Sequence, residues 1–83
     1  MIKILYFARF RDTLDCAEEN LALPLNTSTV EALVSLLCER GQLWRETLTA
    51  SQVLVAINQE LTDLTASIKD GDEVAFFPPV TGG

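Results

Sequence analysis

The residues best suited to chemistry stand at the C-terminal end: Phe76-Phe77-Pro78-Pro79-Val80-Thr81-Gly82-Gly83. Two successive glycines at a terminus arise by chance only about 0.5% of the time, at a glycine usage near 7%. At a chain end they are not expected to pack a core or close a turn. A free carboxylate is a poor acyl donor, because its charge is delocalised and oxide is a bad leaving group. Joined to AMP as a mixed anhydride it becomes reactive, and a nucleophile then captures the acyl group as an ester, amide, thioester or thiocarboxylate. Such chemistry requires the tail to enter another protein's active site. Glycines, lacking β-carbons, allow close backbone approach in a narrow channel. Pro78-Pro79 end the preceding apolar run and favour an extended exit. The expectation is a folded domain over residues 1–79 and a flexible, reactive tail over 80–83.

Other chemistry finds little support. There is no histidine, which removes Ser-His-Asp and Cys-His arrangements. Gly41, Gly71, Gly82 and Gly83 form no phosphate-binding loop. Cys16 and Cys38 lie far apart, with no Cys-x-x-Cys spacing, so no metal site is expected. Asp70 and Asp72 flank a glycine but lack the further carboxylates of a calcium loop. A self-sufficient enzyme is therefore not expected. The net charge of −6 and pI near 4.3 speak against nucleic-acid and anionic-membrane partners. No run approaches the roughly 20 apolar residues of a membrane span. The start, Met1-Ile2-Lys3-Ile4-Leu5, runs into Arg9 and Arg11 without a small-residue cleavage site, unlike a signal peptide. A cytoplasmic location follows as the expectation.

The elements that must position the tail read as follows. Eighty-three residues, 48% apolar, suffice for one small core. Residues 2–10 are β-branched and aromatic, as a strand requires. One face carries Ile2, Ile4, Tyr6 and Ala8, predicted core; the other carries Lys3, Leu5, Phe7 and Arg9. Arg9–Leu14 predicts a short helical turn, and Leu21, Leu23 and Leu25 a second strand, with Pro24 placing it at an edge. Ser28 and Glu31 have capping-box spacing. Val30, Leu33, Val34 and Leu37 then give an amphipathic helix over about 29–40, with Gly41 as its C-terminal cap. Leu43–Ala50 predicts another helical turn. Val53–Ile57 reads as a buried strand, Asn58-Gln59 as a turn, and Leu61 and Leu64 as residues packing behind it. Lys69-Asp70-Gly71-Asp72 is a turn signal. Glu73–Phe77 is the last strand, with Val74 and Phe76 on one face and Glu73, Ala75 and Phe77 on the other.

A hairpin, a crossing helix and a returning strand describe an α+β chain with a mixed four- or five-stranded sheet and one main helix. This is the β-grasp, or ubiquitin-like, layout, with first and last strands parallel and adjacent. Leu5 and Phe7 would then stand beside Ala75 and Phe77 on the face away from the helix. An apolar patch with a charged rim is how a protein-binding surface looks.

The tail, the start Met1-Ile2-Lys3-Ile4-Leu5-Tyr6-Phe7-Ala8, the strand Val55-Ala56-Ile57-Asn58 and the turn Asp70-Gly71-Asp72-Glu73-Val74 together resemble the family of molybdopterin synthase small subunits, which are sulfur carriers. The likeness spans the chain, and residues 12–52 add only pattern. It implies an ATP-dependent activating enzyme that adenylates the Gly83 carboxylate, and sulfur transfer that makes a thiocarboxylate. The carrier would then give sulfur to cyclic pyranopterin monophosphate on the large synthase subunit, in a heterotetramer of two small and two large chains. In this role the chain is a sulfur-donating subunit, with no permanently bound cofactor and ATP consumed by the activating enzyme. The resemblance makes Gly83 the reacting residue and puts Val80, Thr81 and Gly82 in the partner's channel. By match of position Phe7, Phe77 and Pro78 would lie in the partner interface, with Arg11 facing acidic residues of the activating enzyme; Leu5 and Ala75, from the strand alternation, and Pro79 complete the expected interface. Competing readings are a thiamine-pathway sulfur carrier, which shares the terminal Gly-Gly, a ubiquitin-like protein modifier, and a plain interaction domain.

Overall fold

The computed structural model describes residues 1–49 and 53–79. Five strands and three helices follow in the order β1 (Ile2–Tyr6), α1 (Arg9–Leu14), β2 (Glu18–Leu21), α2 (Val30–Cys38), α3 (Gln42–Leu48), β3 (Leu54–Ile57), β4 (Glu60–Thr62) and β5 (Glu73–Phe77). The sheet order is β2-β1-β5-β3-β4. β1 and β5 are parallel and adjacent, while the other pairs are antiparallel. The predicted β-grasp layout is thus the observed one. No helix among the described residues is long and apolar enough to cross a membrane.

One sheet face builds the core. Ile2, Ile4 and Tyr6 of β1, Val55 of β3, and Val74 and Phe76 of β5 pack against Val30, Leu33, Val34 and Leu37 of α2. Burying such side chains is worth about 1.5–3 kcal/mol each before entropy is counted. Tyr6 stacks on Phe76 with ring centres 6.1 Å apart and meets the Trp44 ring edge-on at 5.6 Å. Its hydroxyl donates to Glu19 at 2.9 Å, and Arg40 donates two bonds of 2.7 Å to the same carboxylate. Edge strand β2 is thereby clasped to the end of α2.

Several expectations need correction. The second strand is Glu18–Leu21, not Leu21–Leu25. Glu-Glu-Asn-Leu is a weak strand former, but register with β1, the Lys3–Glu18 pair at 3.1 Å and the Glu19 clasp override propensity. Leu25 instead stands fully exposed beside the turn in which the Thr27 amide donates to the Pro24 carbonyl. Ala8 is not core: β1 stops at Tyr6, and exposed Ala8 is the N-cap of α1, with φ 55° and ψ −134°. The capping box does not form, and Thr29 is the N-cap, its hydroxyl accepting from the Ala32 amide at 3.2 Å. The Val30 and Glu31 amides donate to the carbonyls of Ala66 and Leu64, leaving Glu31 no capping task. α2 stops at Cys38, and Gly41, at φ 144°, opens α3 instead of capping α2.

The start of β5 is tied down on both sides. The buried Asp72 carboxylate accepts from the Lys69 amide at 2.9 Å and the Asn58 side-chain amide at 3.1 Å. Asn58 in turn accepts from the Glu73 amide at 3.0 Å. The Lys3 amide donates to the Asp72 carbonyl, and the Gly71 amide to the Met1 carbonyl. Gly71 sits at φ 94°, a conformation glycine adopts without strain. One end of β5 is fixed, and the other leads out of the sheet.

Candidate docking face

Strand alternation puts Lys3, Leu5 and Phe7 on the sheet face opposite α2, and the registers extend that face across the molecule. Leu5 stands opposite Ala75, Ala75 opposite Ala56, and Ala56 opposite Leu61. The next row joins Phe77 to Leu54, and the Phe7 amide donates to the Phe76 carbonyl at 3.1 Å, carrying the β1–β5 pairing one residue further. Ala75 and Ala56 are both buried. They form a low floor between taller side chains, so Ala75 supports the face and presents little surface itself.

Phe7 is 45% exposed and Leu61 68%, while Leu5, Leu54, Phe77, Pro78 and Pro79 are partly exposed. Leu61 was expected to pack behind the Asn58-Gln59 turn with Leu64. Both are exposed, and Leu61 belongs to the outer face because it pairs with outward-facing Ala56. Leu54, Ala56 and Leu61 are the members that sequence reasoning missed. The signal was available in the alternation of β3, but a continuously apolar run hides which side faces out.

The rim is polar. Lys3 pairs with Glu18 at 3.1 Å, and Glu73 lies beside Lys3. Beyond Phe7, α1 presents Arg9 and Arg11 to solvent, and Arg11 lies 3.9 Å from Asp12. Phe10 and Leu14 anchor that helix in the core. Of the residues expected at the interface, Leu5, Phe7, Ala75 and Phe77 converge on one patch, and Arg11 stands at its end on α1. Pro78 and Pro79 continue β5 away from the clasped end. Val80, Thr81, Gly82 and Gly83 lie outside the described residues.

The titratable groups elsewhere do structural work. Burial raises the Tyr6 phenol pKa, and the neighbouring Glu19 carboxylate raises it further. Arg40 holds the Glu19 carboxyl below its ordinary range against the opposing effect of burial. For Asp72, burial opposes ionisation, but the Lys69 and Asn58 donors outweigh it and keep the carboxyl low. Burial and Glu19 push the Cys16 thiol up, which makes it less reactive. Cys38 is buried in the core, as its apolar helix position predicts.

A model of the ThiS family matches residues 4–83. The chain belongs to the ThiS family. This ThiS-family chain is 41% identical, over the whole length of both proteins, to a Haemophilus influenzae protein described as molybdopterin synthase sulfur carrier subunit. Among solved structures it resembles a Pyrococcus furiosus protein provisionally assigned as molybdopterin converting factor subunit 1. That match has a TM-score of 0.74 and 30% identity, covering 95% of this chain and 97% of the other. A chain from the Helicobacter pylori complex of subunits 1 and 2 of molybdopterin-converting factor matches with a TM-score of 0.67, covering 99% and 97% of the two chains. At 22% identity that last likeness shows the fold alone.

Proposed function

We propose that this chain is the sulfur carrier of a molybdopterin synthase. The observation that carries the reading is the run of β5. One strand contributes Ala75 and Phe77 to the outward apolar face and then leads through Pro78-Pro79 toward Gly82-Gly83. Full-length likeness to a molybdopterin synthase sulfur carrier subunit supports the same role over a thiamine-pathway carrier or a protein modifier.

In this mechanism the outer face docks on a partner while the tail enters the partner's active site. An ATP-dependent activating enzyme forms a bond between the Gly83 carboxylate and AMP, releasing pyrophosphate. A sulfur nucleophile attacks the acyl carbon, AMP leaves, and a thiocarboxylate results. The loaded carrier then docks on the large synthase subunit, its thiocarboxylate sulfur bonds to cyclic pyranopterin monophosphate, and water cleaves the acyl–sulfur bond to return the Gly83 carboxylate, two carriers' sulfur completing the dithiolene. The assembly proposed is two small and two large chains. The carrier supplies no acid or base to these steps. Its contribution is a fixed docking geometry and a slender tail of Val80, Thr81, Gly82 and Gly83.

Intact-mass measurement after co-expression with an activating enzyme tests this directly. Exchange of one oxygen for sulfur, confined to the C-terminal peptide, is the expected result. Sulfur delivery to cyclic pyranopterin monophosphate by the loaded carrier and large subunit completes the test. A mass that never changes, or tail loading without delivery, refutes it.

A further inference from the structure

Six cations offset twelve carboxylates in this chain, so a cation without an anionic partner calls for an explanation. Lys3 and Arg40 pair with Glu18 and Glu19 at 3.1 and 2.7 Å, and Lys69 and Arg11 lie 3.9 Å from Asp72 and Asp12. Arg9 and Arg45 have no ion pair among the described residues. Arg45 belongs to α3, away from the outer sheet face. Arg9 is exposed at the start of α1, with its guanidinium carbon 6.0 Å from the Phe10 ring centre.

Local backbone holds Arg9 beside the docking face. The Phe7 amide is bonded to Phe76, the Phe10 amide to the Phe7 carbonyl at 3.2 Å, and the Arg11 amide to the Ala8 carbonyl at 3.1 Å. Ala8, between them, has the φ 55° and ψ −134° backbone that turns strand into helix within one residue. The start of α1, and with it the Arg9 backbone, is therefore held next to Phe7 and the end of β5, with the exposed guanidinium over the Phe10 ring.

We infer that Arg9 recognises a carboxylate on the large synthase subunit, at the mouth of the channel that receives the tail. This rests on the sulfur-carrier reading above. A carboxylate fits better than a substrate phosphate on grounds of reach. Four residues, Val80–Gly83, separate Pro79 from the reacting carbonyl, about 13 Å when extended, so substrate lies much deeper than the mouth. The planar guanidinium matches a carboxylate with two parallel hydrogen bonds. The charge also orients the approach. The opposite edge of the face carries Glu73 beside the mutually neutralised Lys3–Glu18 pair. A carrier docking the wrong way round would set Glu73 against the acidic mouth, and like charges there disfavour the encounter.

The test is stopped-flow association with the large subunit across a range of ionic strength, using the full chain. Arg9→Glu is compared with Arg45→Glu, which makes the same change in net charge, and with the milder Arg9→Gln. Rim charges act mainly on association rate, so Arg9→Glu should slow it roughly three- to tenfold at low salt, with Arg9→Gln intermediate. Arg45→Glu should stay within about twofold, and the differences should shrink as the screening length falls to about 10 Å at 0.1 M salt. Equal slowing by Arg9→Glu and Arg45→Glu would reduce the effect to net charge and overturn the inference. Undiminished or faster association of Arg9→Glu would mean a neutral or basic mouth and overturn it as well. If thermal melting shows Arg9→Glu to be unfolded, Arg9→Gln decides by the same comparison with Arg45→Gln. Sulfur loading and binding of the unaltered protein are measured alongside. Their absence removes the carrier reading itself, whereas their presence with an unresponsive Arg9 removes only this inference.

Discussion

Replacing Leu61 with alanine separates docking from folding. Fully burying a leucine is worth about 1.5–3 kcal/mol. Leu61 is 68% exposed in the free chain, so folding has used only about a third of that value. Some two-thirds remains for docking, or about 1–2 kcal/mol if the partner covers the side chain completely. Leu61→Ala should therefore weaken binding to the large subunit roughly five- to thirtyfold. The folding cost should be at most about 1 kcal/mol, a fall in Tm of roughly 4–8 °C or less for a domain of this size. Phe76→Ala provides the contrast: Phe76 is fully buried, and its truncation should cost about 3–5 kcal/mol in stability. Titration calorimetry with the large subunit reads the first quantity, and thermal melting followed by circular dichroism reads the second. Affinity within twofold of the parent would show that the docking face stops short of β4. A Tm loss as large as that of Phe76→Ala, with affinity per folded molecule intact, would show that Leu61 supports the fold.

Three other perturbations follow from the same picture. Deleting Gly83 should abolish sulfur loading by intact mass while leaving Tm nearly unchanged, since glycine has no side chain to bury. Asn58 and Gln59 both have positive φ, at 51° and 71°, in the hairpin between β3 and β4; Gln59→Gly should stabilise the chain by about 0.5–1 kcal/mol in urea unfolding, because this turn favours Asn-Gly. Stability should fall at both pH extremes. The lowered Glu19 pKa makes its contribution complete above about pH 4.5 and lost as pH falls through the folded value; the raised Tyr6 pKa makes its contribution complete below about pH 10 and lost above it. Urea midpoints across pH check both limbs, and Glu19→Gln should flatten the acid limb.

The elements with strong periodicity were legible in the sequence. The Val30-Leu33-Val34-Leu37 stripe, the alternation in β1 and β5, and the Asn58-Gln59 and Asp70-Gly71 turns lead directly to the observed layout. Glu18–Leu21 was not legible, because its strand character comes from partners distant in sequence: Ile2 and Leu5 in register, and Arg40 beyond α2. The Ser28–Glu31 spacing misled for a related reason. A carbonyl supplied by the 64–66 segment meets the Glu31 amide, and no local pattern announces that contact. At the docking face, Leu5, Phe7 and Phe77 could be read from alternation, whereas Leu61 required knowing which neighbour it paired with. Arg9 and Arg11 were visible as cations, but the absence of an ion pair at Arg9 among the described residues emerges only on folding.

The same strand that closes the core also sets the outer face proposed to meet a partner. In β5, Val74 and Phe76 point inward and are fully buried, while Glu73, Ala75 and Phe77 point outward. A slip of one residue would exchange the two sets, burying Glu73 and exposing Phe76. The clasp of Asn58 and Asp72 opposes that slip at the start of the strand, and the Phe7–Phe76 hydrogen bond opposes it at the end. Core packing therefore fixes the register, and the register fixes which side chains share the outer face with the end of β5. The low floor of Ala75 and Ala56 adds a steric condition. A larger residue at either position would have to rise between Leu5 and Leu61, on the face proposed to dock. The face is thus specified as much by its two small residues as by its large ones.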